Sequence, residues 1–179
     1  MPYTTTHQTP LGPILLAADE NGLTGLWLAN QKYHGAGLGN NPTPKADWPV
    51  FAEAKAWLEA YFAGQKPAIS ALPLSLTGSP FRKQVWDILC SIPYGQCITY
   101  GGIAQQMAAA SGLERMSAQA VGGAVGHNPI SIIIPCHRVI GTGGSLTGYA
   151  GGVAAKRFLL AHEGVDVTQF SVPKKGTAL

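Results

Sequence analysis

Hydrophobic and polar positions divide the chain into a first part typical of strands and a second part typical of helices. Apolar residues predominate at positions 14–18 and 23–28, and between them lies Asp19-Glu20-Asn21-Gly22, a sequence typical of a tight turn. This pattern predicts a β-hairpin. Residues 34–45 are rich in Gly, Asn and Pro and predict a surface loop, whereas the apolar positions of residues 47–62 recur at helical spacing.

Three more helices are predicted after a connector at residues 64–79. Ser79 stands before a proline and predicts the N-cap of a helix over residues 81–92. Thr99 is the predicted cap of a second helix, and Ser117 is the predicted cap of a third. Two helices joined by a short break form the outline of a helix-turn-helix, although many helical pairs share this outline.

The third predicted helix has a face of Ala, Gly and Val. A helix that reads base edges in the major groove of DNA needs long hydrogen-bond donors, which this face lacks. Small residues permit close approach either to a narrow groove or to another helix in a core. The residues alone leave both interpretations open.

Composition indicates a globular chain with enough apolar residues for a core. The 179 residues are 46% hydrophobic and 12% charged, which fits one domain or two small ones. No apolar run approaches the roughly 20 residues of a membrane span, and the first residues lack a basic segment followed by a hydrophobic one. We expect a soluble, cytoplasmic protein. The three cysteines include no C-x-x-C pair, so we expect neither a disulfide framework nor a metal site.

The net positive charge of the chain is concentrated in its second half. Residues 80–162 hold six basic and two acidic side chains, whereas residues 1–79 hold four basic and five acidic ones. A basic half suits phosphate backbones, although a solvated surface explains the same count.

The candidate chemistry lies in Ile134-Pro135-Cys136-His137-Arg138-Val139, which places a thiol beside an imidazole. The run of isoleucines at 132–134 predicts a buried strand that ends at the proline and presents Cys136 at the rim of a core. A buried cysteine beside an incidental histidine is the ordinary alternative. Residues 159–164 indicate the end of a further helix, and Glu163 there supplies a carboxylate, which completes the parts of an activated sulfur nucleophile.

With these residues in view, the chain resembles the O6-alkylguanine-DNA alkyltransferase family. The resemblance rests on the Pro135 to Val139 motif, on Asn128, on Gly148-Tyr149-Ala150-Gly151-Gly152 and on residues 159–164, all in the order of the family. It implies an α/β, ribonuclease-H-like N-terminal domain at residues 1–78. It also implies a mostly helical C-terminal domain at residues 79–179, with the helix-turn-helix and the thiol.

The implied activity is direct-reversal DNA repair. Cys136 would take the alkyl group from O6-alkylguanine irreversibly, once per molecule and without a cofactor, and O4-alkylthymine stays open as a second substrate. The implied partner is double-stranded DNA, approached through the minor groove by a monomer, and cooperative binding also stays open. The target base lies inside the duplex and must be flipped into a pocket.

The resemblance also assigns catalytic roles. Glu163 would orient His137, which would take the proton of Cys136 through a water, so we expect the sulfur to be ionised at neutral pH. Tyr100 would donate a proton toward N3 of the leaving guanine. Asn128 would brace the turn before the active site, although its position also suits a helix C-cap.

Binding roles follow in the same way. Backbone groups of Cys136 and Val139 would read the guanine amine, Tyr149 would form a wall, and the N–H of Ala150, where many relatives have serine, would face O6. Gln119 stands where many members of the family have an arginine that replaces the flipped base, and Arg115 is a candidate to assist it. The full predicted DNA-binding set is Gln119, Arg82, Tyr100, Ala118, Gly122 and Thr142.

Two other functions compete with alkyl transfer. A non-catalytic, alkyltransferase-like damage-binding protein would lack the cysteine, so the presence of Cys136 argues against it. A thiol hydrolase would usually have its histidine distant in sequence and a separate oxyanion hole, and neither feature is seen here.

Overall fold

The computed structural model describes residues 1–174, which form two compact units. The first unit consists of Met1–Thr77 and Pro129–Ile133, and the second of Gly78–Asn128 and the chain from Ile134 onward. The boundary predicted between residues 78 and 79 would place the short segment 129–133 in the second domain. That segment clusters with the first unit because the Leu26 N–H donates to Pro129 O at 2.9 Å and the Ser131 N–H donates to Leu26 O at 3.0 Å.

A four-stranded sheet forms the centre of the first unit. Its strands are β1 (Tyr3–Thr9), β2 (Gly12–Ala18), β3 (Leu23–Leu28) and β4 (Thr43–Pro44), in the order β3-β2-β1-β4. The predicted hairpin is β2 with β3, which pair antiparallel. β1 was not predicted, because its sequence YTTTHQT has β-branched threonines but no apolar alternation.

One helix, α1 (Pro49–Phe62), covers this sheet. Pro49 occupies the first helical position, where its missing N–H costs nothing. The buried face consists of Val50, Phe51, Ala54, Trp57, Leu58 and Tyr61. These positions follow the helical spacing seen in the sequence, so the predicted helix is confirmed with its start shifted by two residues.

The second unit is mostly helical. It contains α2 (Pro80–Ser91), α3 (Tyr100–Ala110), α4 (Ala118–Gly126) and α5 (Val153–His162), with a short parallel pair of strands, β5 (Ile98–Thr99) and β6 (Val139–Ile140). The side chains of Ser79, Thr99 and Ser117 accept hydrogen bonds from backbone N–H groups in the first turns of α2, α3 and α4. All three predicted caps are therefore confirmed.

The small-residue helix α4 uses its two faces differently. Val121, Ala124 and Val125 are buried, and the indole N–H of Trp86 in α2 donates to Ala124 O at 2.9 Å. Ala118 and Gln119 are exposed. Core packing therefore accounts for one face, and the other is open to a ligand.

Within residues 1–174, no helix is long and apolar enough to span a bilayer.

Candidate active site

Cys136 begins a 3-10 turn, Cys136–Arg138, and does not follow a strand. The three isoleucines before it are buried, but they lie in a turn in which Ile132 has a φ of 70°, a region that β-branched residues rarely adopt. The predicted strand is therefore wrong. A run of buried apolar residues does not by itself distinguish a strand from a buried turn.

Asn128 holds this turn and also contacts the sulfur. Its Nδ2 donates to Ile134 O at 2.9 Å and to Cys136 Sγ at 3.0 Å. The C-cap of α4 is His127, so Asn128 is not the helix cap. Because an N–H donor stabilises the charged form of its acceptor, the contact with Sγ favours the thiolate.

Glu163 joins His137 and Arg138 in a buried network. Glu163 is the C-cap of α5, and its Oε1 lies 2.6 Å from His137 Nε2. Arg138 donates from Nε to Oε2 at 2.9 Å and from Nη2 to Oε1 at 3.0 Å. The backbone N–H of Gly95 donates to Oε2 at 3.0 Å. This set of donors matches a carboxylate, which only accepts.

The network sets the tautomer of His137. Burial alone would raise the pKa of Glu163, but the hydrogen bonds from His137 and Arg138 hold that pKa far below its usual range. Burial lowers the pKa of His137, although Glu163 opposes this shift. Nε2 of the neutral ring must therefore donate to Glu163, which leaves the lone pair on Nδ1. His137 Nδ1 is buried and has no hydrogen-bond partner among residues 1–174, so it is available as a base.

The thiol of Cys136 does not match the expectation of a sulfur that is ionised at neutral pH. Burial raises the pKa of Cys136, while the Asn128 hydrogen bond and the charge of Lys156 lower it by less. Only 4% of Cys136 is exposed, so its charged form loses most of its hydration. Burial therefore favours the protonated thiol of Cys136 over the thiolate.

Lys156 lies fully buried behind the site. Its Nζ donates to Val139 O and, at 2.8 Å, to Thr147 O, and it lies 5.9 Å from the centre of the Tyr100 ring. Burial lowers the pKa of Lys156 to about 8, although the nearby Cys136 and Cys97 oppose the shift. An ammonium here places positive charge beside the sulfur.

Tyr100 opens α3, as predicted, and faces the loop after β6. Its hydroxyl donates to Thr147 O at 3.0 Å and to Gly148 O at 3.3 Å. Burial, followed by the proximity of Cys136, raises the pKa of Tyr100. The phenol is therefore a neutral donor that is already engaged with backbone carbonyls.

A cavity of about 540 Å³ opens beside these groups within the second unit. Five of the predicted residues line it together with four further positions: Tyr100, Ala118, Gln119, Gly122, Gly123, Gly141, Thr142, Thr147 and Gly148. Its lining does not include Arg82, Val139, Tyr149 or Ala150. The structure therefore groups the α4 positions with Tyr100 and Thr142, and it leaves Arg82 half-buried in the first turn of α2.

Sequence reasoning missed the roles of Arg138 and Lys156. Both were counted as part of a basic surface, but they are 7% and 0% exposed. A signal for Lys156 existed in the sequence: Lys156, Leu159, Leu160 and Glu163 lie at positions i, i+3, i+4 and i+7 of one helical face, and both leucines are buried. A lysine on that face has to be buried with them.

The site places a buried cysteine next to a histidine–carboxylate pair, which is the arrangement found in proteins that activate a sulfur nucleophile. In comparisons with known proteins, residues 80–165 match the DNA binding domain of 6-O-methylguanine DNA methyltransferase and residues 2–76 match its ribonuclease-like domain. The chain belongs to the 6-O-methylguanine DNA methyltransferase family.

Individual relatives agree with this assignment. The methylated-DNA–protein-cysteine methyltransferase of Mycolicibacterium paratuberculosis is 44% identical over 88% of this chain and 90% of its own, and that of Methanosarcina acetivorans is 43% identical over 90% and 98%. The crystal structure of Mycobacterium tuberculosis OGT in complex with DNA superposes with a TM-score of 0.77, at 40% identity and 94% coverage of both chains.

The comparisons confirm the family, the fold class and direct-reversal DNA repair by alkyl transfer to a protein cysteine. They also confirm DNA as the partner.

Proposed function

We propose that this chain removes the alkyl group from O6-alkylguanine in double-stranded DNA by a single, irreversible transfer to Cys136 Sγ. The observation that carries the proposal is the buried pair formed by His137 and Glu163, which leaves His137 Nδ1 as an unengaged base one residue from the thiol. A sulfur that is protonated at rest needs such a base.

The first step is deprotonation. His137 Nδ1 takes the thiol proton through a bridging water, and the resulting imidazolium is stabilised by the ionised Glu163. Arg138 keeps Glu163 ionised throughout. The new thiolate is stabilised by the Asn128 Nδ2 hydrogen bond and by the positive charge of Lys156.

The second step is an in-line displacement. The thiolate attacks the alkyl carbon, an S–C bond forms, and the C–O6 bond breaks with its electron pair going to the guanine. Tyr100 exchanges its contacts with the carbonyls of Thr147 and Gly148 for N3 of the leaving base and donates its proton there. A thioether is not hydrolysed back to a thiol, so each molecule reacts once.

The cavity receives the flipped base. Its open side is formed by Ala118 and Gln119 at the start of α4, a position that suits entry of this helix into the minor groove. Gln119 occupies the space of the extruded nucleotide and hydrogen-bonds the orphaned base. Val139 O and Cys136 O each already accept one hydrogen bond, from Lys156 and from the Val139 N–H, and each retains a second lone pair for the guanine amine.

Tyr149 and Ala150 follow the cavity wall directly in sequence, where Tyr149 would form a wall for the base and the N–H of Ala150 would face O6. In this proposal the protein acts as a monomer, because one second unit contains every group that the two steps need. Arg82 would contact the phosphate backbone from the first turn of α2.

The test is intact-mass analysis of the protein after incubation with a duplex that contains one O6-methylguanine. The proposal predicts that one methyl group is added per protein molecule and that the guanine is restored. An unmodified protein that still binds the duplex would support a damage-binding function instead. Repeated turnover on esters or amides would support a thiol hydrolase.

A further inference from the structure

The segment after α5 folds back onto the loop that lines the cavity. We call residues 141–148 the pocket loop and residues 167–171 the tail segment. The Ser171 N–H donates to Gly144 O at 3.0 Å, and the Leu146 N–H donates to Ser171 O at 2.9 Å. These two bonds form a parallel bridge between Ser145 and Ser171, so the tail adds a short strand to the pocket loop.

The tail segment is itself held in shape. Residues Val167–Gln169 form a 3-10 turn that begins at Asp166, whose Oδ1 accepts from the Thr168 N–H at 3.0 Å and from Thr168 Oγ1 at 2.6 Å. This turn delivers Phe170 against Gly144, where a Cβ would lie only 3.2 Å from Phe170 Cδ1. Gly144 has a φ of 79°, so its lack of a side chain serves both the backbone conformation and the contact with Phe170.

The opposite end of the pocket loop is fixed by the active site. Thr147 O accepts from Lys156 Nζ and from the Tyr100 hydroxyl. Between these anchors, Gly141 and Thr142 line the cavity, and the Gly141 N–H donates to Ser145 O at 2.8 Å. Within residues 1–174, the backbone hydrogen bonds that reach residues 143–146 from outside the loop are those of the tail segment, and the buried side chain of Leu146 anchors the same stretch in the core.

We propose that the tail segment is a positioning element for the pocket loop and that it sets how tightly the pocket binds the alkylated base. This inference rests on the proposed function, since it concerns the same pocket. The hydrogen bonds of the tail segment go to Gly144 and Leu146 and not to the sulfur or the Tyr100 hydroxyl, so we expect the tail to act on binding of the base and not on the transfer step.

A matched pair of variants at one position tests the role of the tail. Ser171→Pro removes the N–H that donates to Gly144 O, and Ser171→Ala keeps both backbone bonds and changes only an exposed side chain. Phe170 has φ −99° and ψ 145°, a conformation that a following proline tolerates. The substrate is free O6-benzylguanine, which needs the pocket but no DNA contacts.

We expect Ser171→Pro to raise the half-saturating concentration of O6-benzylguanine about fivefold, the effect of losing one hydrogen bond. The limiting rate of transfer should change less than twofold, and Ser171→Ala should match the wild-type protein in both. A general loss of structure would lower the melting temperature and the fraction of reactive protein. A higher half-saturating concentration without these two changes would therefore point to the pocket itself. Equal half-saturating concentrations for the two variants would overturn the inference.

Hydrogen exchange of the unmodified full-length protein keeps the inference testable if Ser171→Pro does not fold. The Leu146 amide should exchange more slowly than the unbonded rate for its sequence, because Ser171 O accepts from it; exchange at the unbonded rate would overturn the inference. A wild-type protein that takes no benzyl group would count against the proposed function, and the Leu146 measurement would still show whether the tail segment is bonded to the pocket loop.

Discussion

Arg138 and Glu163 form a two-point ion pair in the interior of the second unit, with Nε 2.9 Å from Oε2 and Nη2 3.0 Å from Oε1. Arg138 Nη1 also donates to Ile92 O at 2.6 Å. Parallel hydrogen bonds of this kind fix the plane of the carboxylate. Oε1 is therefore held where it can accept from His137 Nε2, and the ion pair orients the imidazole that we propose as the base.

Glu163→Gln should lower the rate of alkyl transfer about 100-fold, because a neutral amide stabilises the imidazolium far less than a carboxylate does. The measurement is single-turnover transfer from a methylated duplex, with Glu53→Gln in the exposed part of α1 as the control. A Glu163→Gln protein that reacts as fast as this control would show that the carboxylate takes no part.

The Glu163 carboxylate should make the stability of the protein depend on pH in the acidic range. The folded-state pKa of Glu163 lies below its unfolded value of about 4.3. The contribution of Glu163 to the free energy of unfolding is therefore complete above about pH 4.3, and it is lost as the pH falls from there toward the folded-state pKa. Urea unfolding of the wild-type protein and of Glu163→Gln should therefore differ most near pH 6 and converge toward pH 3. A difference that grows on acidification would contradict the ionised state of Glu163.

Lys156→Met should change stability in the alkaline range. The folded-state pKa of Lys156 is about 8, and an unfolded lysine has a pKa of about 10.4, so the unfolded chain binds more protons between these values and stability rises with pH. The free energy of unfolding of the wild-type protein should gain about 3 kcal/mol relative to Lys156→Met between pH 7 and pH 10.5. Exposed Lys83→Met is the control, and an unchanged difference across this range would contradict the buried ammonium.

Tyr100→Phe should lower the limiting rate of transfer about tenfold, because the leaving guanine loses a proton donor. Affinity for undamaged duplex should stay within about twofold, since a hydroxyl that faces Thr147 O makes no phosphate contact. Tyr94→Phe is the matched control, because the Tyr94 hydroxyl donates to His162 O and not toward the cavity. Equal transfer rates for the two variants would show that the Tyr100 hydroxyl takes no part in the transfer step.

Gln119→Arg should change binding to DNA without changing the chemistry. Gln119 is exposed on the rim of the cavity, and an arginine there adds a charge that favours the duplex. We expect about fivefold tighter binding of duplex at low salt and an unchanged rate with free O6-benzylguanine. Gln65→Arg adds the same charge in the first unit and serves as the control. A large loss with the free base would contradict the placement of Gln119 outside the reacting atoms.

The features that the sequence predicted correctly depend on local chemistry. Ser79, Thr99 and Ser117 were identified as caps because a hydroxyl before an apolar helical pattern satisfies an N–H within the same turn. The pairing of His137 with Glu163 followed from the family resemblance, because two residues 26 positions apart give no local signal.

The features that the sequence did not predict depend on tertiary surroundings. Ile132 is forced into a left-handed turn by a buried chain reversal that its apolar side chain does not reveal. Arg138 and Lys156 look like surface charges until the fold encloses them. The pKa of Cys136 likewise reflects burial, which outweighs the donors around the sulfur.

The site of alkylation tests the central claim most directly. The protein should be incubated with a duplex that carries a deuterated O6-methylguanine and then digested for peptide mass analysis, with Cys136→Ala and Cys97→Ala as the compared variants. We predict that the label lies only on Cys136, that Cys136→Ala takes up none, and that Cys97→Ala takes up as much as the wild-type protein. Label on Cys90 or Cys97, or repair by Cys136→Ala, would contradict the account.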